Sequence, residues 1–144
     1  MSRIPHNLNI MQPDYTGGSI VNLMRSIGDR CGAAPSPYEP VPGLGERLAA
    51  AQRVVLLVID GLGTEVLQAQ AAGSVFDRAR ERDLTSVYPP TTASAVTTLL
   101  SAQAPRQHGL TGWFMHFREL GAVAAVLPFV PRYGRATLTD AGPR

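Results

Sequence analysis

The run Val54-Val55-Leu56-Leu57-Val58-Ile59 constrains this chain more than any other stretch. Consecutive branched apolar residues without alternation predict a strand buried on both faces, as in the middle of a parallel sheet covered by helices. The run is preceded by Arg53 and closes on Asp60-Gly61-Leu62-Gly63. In open α/β sheets ligands collect outside the carboxyl ends of strands, so Asp60 is expected where chemistry is built. Gly61 and Gly63 let the backbone turn tightly there and approach a ligand closely. The competing reading is that Asp60 caps the following helix, Thr64 to Ala71.

A second stretch, Tyr88 to Gly109, has the same strand-to-helix character. Pro89 and Pro90 hold the residues before them extended, and the Ala-rich pattern that follows carries Val96, Leu99 and Leu100 on one face of a helix. Thr91 and Thr92 therefore stand at a helix start, where unsatisfied N–H groups and the positive end of the helix dipole favour an anion. Either threonine is also a good N-cap, with its oxygen accepting an orphan N–H. Upstream, Leu84-Thr85-Ser86-Val87-Tyr88 fits a second strand that delivers the threonines to the same sheet edge as Asp60.

The remaining elements follow from periodicity. Ser19 is placed to cap a helix bearing Ile20, Leu23, Met24 and Ile27, after a turn at Asp14 to Gly18. Pro35, Pro37, Pro40 and Pro42, with Gly43 and Gly45, predict a loop or arm rather than a packed element. Glu46 to Gln52 can form a short helix. Ser74 and Asp77 resemble a capping pair for another, running to Arg82. Trp113 to Phe117 and Val123 to Leu127 are candidate strands, and Pro131 to Arg144 reads as an irregular tail. A single unit results: a helix and proline-rich arm over 1–52, a sheet core over 53–127 and a tail over 128–144.

Composition excludes several function classes. The 13 basic and 11 acidic residues differ by two charges and form no basic run, so nucleic-acid binding is not expected. Arg78, Arg80 and Arg82 interleave with acids as on a solvated helix face. Cys31 is the only cysteine, which leaves no disulfide and no cysteine metal cluster. No apolar run approaches the roughly 20 residues that span a bilayer. Residues 1–12 lack the apolar core of a secretory signal. Cytoplasmic residence is the expectation.

Taken together, the strand closing on Asp60-Gly61, the pair Tyr88-Pro89 followed by Thr91-Thr92, and Pro105 followed by His108-Gly109 resemble the alkaline phosphatase superfamily. The resemblance is to its nucleotide pyrophosphatase/phosphodiesterase branch, and to the N-terminal portion of the catalytic domain. It implies an α/β fold with a mostly parallel sheet flanked by helices, incomplete in this chain. It also implies a metal-dependent hydrolase of phosphate esters, of phosphodiester or nucleotide pyrophosphate type, acting on a small-molecule substrate. Thr92 takes the place of the nucleophile, which forms a covalent phospho-threonine intermediate, and Asp60 and Thr92 take metal-ligand places beside two divalent ions, expected to be zinc.

A threonine hydroxyl is protonated at neutral pH, so a base or metal is needed to activate it. The chain departs from the branch in having Trp113 where characterised members have an asparagine that contacts the phosphate; an aromatic there suits stacking on a leaving group. Beyond Thr92 only His108, His116, Glu119 and Asp140 remain as candidate ligands, without the family's Asp and His spacing. His108 and His116 read more naturally as turn and strand residues, and His6 carries no pattern. The alternative to a hydrolase is a non-catalytic α/β remnant that self-associates through an unpaired sheet edge, making a homo-oligomer.

Overall fold

The computed structural model describes residues 11–134 and Leu138. Its elements are α1 (Ile20–Arg30), α2 (Leu44–Ala50), α3 (Thr64–Gln70), α4 (Val75–Arg78), α5 (Thr92–Ser101), α6 (Pro105–His108), β1 (Phe114–Phe117), β2 (Ala122–Ala125) and β3 (Val130–Pro131). His6 and Asp140 lie outside the described residues.

The chain is α/β, and α1 is its organising helix. Ser19 caps it in extended conformation, and the buried Asn22 side chain accepts the Ser19 N–H at 3.1 Å. The same carboxamide donates to the carbonyls of Tyr15 at 2.9 Å and Glu39 at 2.7 Å. One turn on, Ser26 Oγ donates to the Asn22 carbonyl at 3.0 Å and accepts the Val41 N–H at 2.8 Å. These bonds hold the proline-rich arm against α1 and bury Val41. The arm is a loop, as its proline and glycine content predicts, exposed along most of its length and anchored to α1 at Glu39 and Val41. Backbone groups that prolines cannot pair in a ladder are satisfied by side chains of α1 instead.

The small core gathers Val21 from α1, Val87 and Ala104, with Tyr15, Ile20, Tyr38 and Ala95 packed around it. Tyr15 and Tyr38 meet with ring centroids 5.8 Å apart. Gly18 lies against the Asp14 side chain, where a β-carbon would collide with the carboxylate. Thr85 stitches this region together: the Ile20 N–H donates to its carbonyl at 3.0 Å, its own N–H donates to the Gly18 carbonyl at 2.8 Å, and the two segments run parallel at that point.

The mostly parallel sheet expected around residues 54–59 is not formed among the described residues. Val54 to Ile59 pair with no strand, and their side chains are 40–89% exposed. The other candidate for a central neighbour, residues 84–88, makes its one ladder contact with residues 18–20 through Thr85. A doubly buried strand needs partners on both edges and helices on both faces, and here neither is supplied.

The sheet that does form is antiparallel. Phe114 pairs with Ala125 and Phe117 with Ala122, while β3 adds to β2 through Ala125 opposite Val130. The β1–β2 turn closes at Gly121, whose φ of 59° favours glycine. Ala124 and Ala125 are buried; Phe117 and Phe129 meet edge-on at 6.3 Å, and the Arg132 guanidinium lies 4.7 Å above the Phe114 ring. Both sequence-predicted strands of this hairpin are present with ends shifted by one or two residues, and Val130–Pro131 forms a short strand inside the 128–144 tail, which was expected to be irregular.

Candidate active site

The two threonines have separate jobs. Thr91 is the N-cap of α5: its backbone is extended, at φ −96° and ψ 153°, and its Oγ1 accepts the Ser94 N–H at 3.3 Å. Ser94 Oγ lies 2.9 Å from the same hydroxyl, so the cap is a paired hydroxyl arrangement. Thr92, the first residue of the helix, is thereby left free of capping. Its Oγ1 donates to Asp60 Oδ2 across 3.2 Å.

Asp60 reaches this position from a tight turn. The Leu62 N–H donates to the Ile59 carbonyl at 3.3 Å, and Gly61, third in the turn, has φ 77°. Positive φ at that place is the mark of a type II turn, which glycine adopts without strain. Asp60 does not cap the following helix; α3 has Gly63 as its N-cap, and its first hydroxyl, Thr64 Oγ1, bonds Asp83 at 3.0 Å. The carboxylate is exposed and the Thr92 hydroxyl half-buried.

Behind the pair, His108 pins α5 to α6. Its Nδ1 accepts the Leu110 N–H at 3.0 Å, so the hydrogen sits on Nε2, which lies 3.2 Å from Thr98 Oγ1. Burial pushes the imidazole below the usual histidine pKa, and a bond to the Ser94 carbonyl partly offsets this. His108 thus serves the helix that carries Thr92, in keeping with its reading as a turn residue. Ser94 and Thr98 are both fully buried, and the part Ser94 plays in the cap, which takes the N–H expected to be free for a phosphate oxygen, and the contact of Thr98 with His108 are what sequence reasoning missed. The Thr-x-x-Ser spacing from Thr91 to Ser94 is the signal that could have found the first of them.

His116, on β1, and Glu119, in the hairpin turn, are both exposed. Trp113 immediately precedes β1, and its carbonyl accepts the Val126 N–H at 2.8 Å. Among the described elements the hairpin sheet packs against no helix, so Trp113, His116 and Glu119 are not brought to the Asp60–Thr92 pair.

The oxygen donors Asp60 and Thr92 suit a hard or borderline divalent cation in kind. They do not suit it in number. No group of three or more His, Cys, Asp or Glu side chains comes together among the described residues, whereas zinc takes about four ligands.

A family model described as type I phosphodiesterase / nucleotide pyrophosphatase matches residues 54–127, just over half the chain. The chain belongs to that family. The matched span begins at the apolar run before Asp60, contains all of α3 to α6, and ends just beyond β2. Neither curated proteins nor solved structures give a match. Members of the family are hydrolases of phosphate esters, and no helix described here is long and apolar enough to cross a membrane.

Proposed function

We propose that this type I phosphodiesterase / nucleotide pyrophosphatase family chain carries the nucleophile half of a phosphate-ester hydrolase site, with Thr92 as nucleophile. The observation that carries the reading is the 3.2 Å bond from Thr92 Oγ1 to Asp60 Oδ2 at the N-terminus of α5. An ionised carboxylate can only accept, so the threonine hydrogen points to Asp60 and the oxygen lone pairs are free to face phosphorus. The first N–H groups of a helix have no intrahelical acceptor, and with Ser94 taken by the cap, those of Thr92 and Ala93 remain for a phosphate oxygen. In the step, Thr92 Oγ bonds phosphorus as the ester bond to the leaving group breaks, and the hydroxyl proton passes by way of Asp60 to the departing oxygen, which leaves Asp60 ionised again. Water then cleaves the threonine–phosphorus bond and restores the hydroxyl.

Asp60 and Thr92 are also proposed as two oxygen donors to divalent metal, zinc by the family resemblance. Bound there, the metal would stabilise the threonine alkoxide. Phosphodiesters and nucleotide pyrophosphates are the proposed small-molecule substrates.

The alternative, a non-catalytic α/β module, is favoured by the exposed apolar run at 54–59. Hydrolysis of a nitrophenyl phosphodiester in the presence of zinc tests the first reading. Loss of turnover in Thr92→Ala with an unchanged circular dichroism spectrum supports it, and turnover equal to that of the parent overturns it. Metal content separates the two readings further: zinc retained through dialysis favours the hydrolase, and none retained favours the module.

A further inference from the structure

We propose that His108 is a positioning residue for Thr92, a role that rests on the hydrolase reading of the candidate site. It grips the face of α5 opposite Thr92, and so sets the rotation of that helix and the reach of Thr92 Oγ1 to Asp60.

Ser94 and Thr98 are four residues apart in α5, so they stand one above the other on one face, and both are fully buried. His108 meets this face: Nε2 lies 3.2 Å from Thr98 Oγ1, and the imidazole also bonds the Ser94 carbonyl. Thr92 precedes Ser94 by two residues, which places it about 200° round the helix, on the other side. A hold on the first face therefore fixes the direction in which Thr92 points.

The hold has a firm base. Nδ1 of His108 accepts the Leu110 N–H at 3.0 Å, and Ala104, the N-cap of α6, is buried in the core with Val21 and Val87. Between them, Gln107 Oε1 accepts the Ala104 N–H at 3.0 Å and the Tyr38 hydroxyl at 2.8 Å. The Thr92–Asp60 bond, by contrast, is a single exposed contact and cannot orient a helix by itself. Cα atoms lie about 2.3 Å from a helix axis, so a rotation of about 25° would carry Thr92 by about 1 Å. A reacting group misplaced by that much can lose about two powers of ten in rate.

Three variants of the 144-residue chain test the role. His108→Phe keeps a ring but loses both nitrogens, Thr98→Val removes the hydroxyl at nearly constant volume, and His108→Gln keeps an uncharged N–H donor. With zinc and a nitrophenyl phosphodiester, the first two are expected to lower kcat about tenfold or more with KM little changed, and His108→Gln to recover most of the loss. Amide hydrogen exchange reads the hold without any hydrolysis. The Ala95 N–H, which donates to the Thr91 carbonyl at 2.9 Å in the first turn of α5, should exchange faster in His108→Phe and Thr98→Val. The Leu23 N–H, which donates to the Ser19 carbonyl at 3.1 Å in the first turn of α1, should keep its parent rate. A histidine that only stabilised the fold would speed both amides together. Parent kcat in both His108→Phe and Thr98→Val, a His108→Gln chain no better than His108→Phe, or equal acceleration at Ala95 and Leu23 would overturn the proposal. A parent chain without turnover would overturn the hydrolase reading instead, and the exchange comparison would still decide whether His108 holds α5.

Discussion

Thr92 Oγ1 donates to Asp60 Oδ2 across 3.2 Å, joining the turn before α3 to the first residue of α5, 32 residues apart. The neighbouring Thr91 is turned the other way and spends its oxygen on the Ser94 N–H. Adjacent residues of the same type thus make different predictions. Thr91→Ala removes an N-cap and should cost about 1 kcal/mol of stability, seen as a lower urea midpoint. Thr92→Ala touches only a half-exposed bond and should change stability by less than about 0.5 kcal/mol. Turnover should follow the opposite order, lost with Thr92 and retained with Thr91.

How much of this was legible beforehand varies with the range of the interaction. The helix at 20–30 and its Ser19 cap follow from local periodicity, and the strands at 114–117 and 122–125 from short β-branched and aromatic segments. Asp60 and Thr92 were both placed at junctions by proline, glycine and the end of an apolar run. Thr91 and Thr92 are chemically alike, so only the geometry of the cap separates them. The parallel sheet expected from 54–59 is not formed among the described residues, because such a run states that it should be buried and says nothing of which segment will cover it. Asn22 was equally silent: it reads as an ordinary polar helix residue until Tyr15 and Glu39 are seen to converge on it.

Asn22 gives the clearest prediction for stability. Its buried carboxamide serves the Ser19 N–H and the carbonyls of Tyr15 and Glu39, so Asn22→Ala strands three buried or half-buried backbone groups. A loss of about 3 kcal/mol is expected in denaturant titration, with the proline-rich arm becoming the first segment cleaved in limited proteolysis.

His108 predicts the acid side of the stability profile. Burial holds its folded-state pKa below the ordinary value of 6.5, so the unfolded chain takes up the proton first. Its contribution is fully present above about pH 6.5 and is lost as the pH falls below that value, since Nδ1 must stay unprotonated to accept the Leu110 N–H. His108→Gln should flatten the decline in melting temperature between pH 7 and pH 5. An unchanged slope would show that other groups govern it.

Zinc binding separates the carboxylate from the cap. Calorimetric titration of the chain with zinc should give a heat that is lost in Asp60→Asn and retained in Thr91→Ala. Equal heats in all three proteins would remove Asp60 from any metal site.

The central claim is that Thr92 bonds phosphorus, and trapping that bond tests it most directly. The chain is incubated with zinc and a nitrophenyl phosphodiester, quenched in acid, digested and sequenced by mass spectrometry. The account predicts a phosphoryl adduct on Thr92 that disappears in Thr92→Ala. An adduct on Thr91, or nitrophenol release that continues in Thr92→Ala, would contradict it.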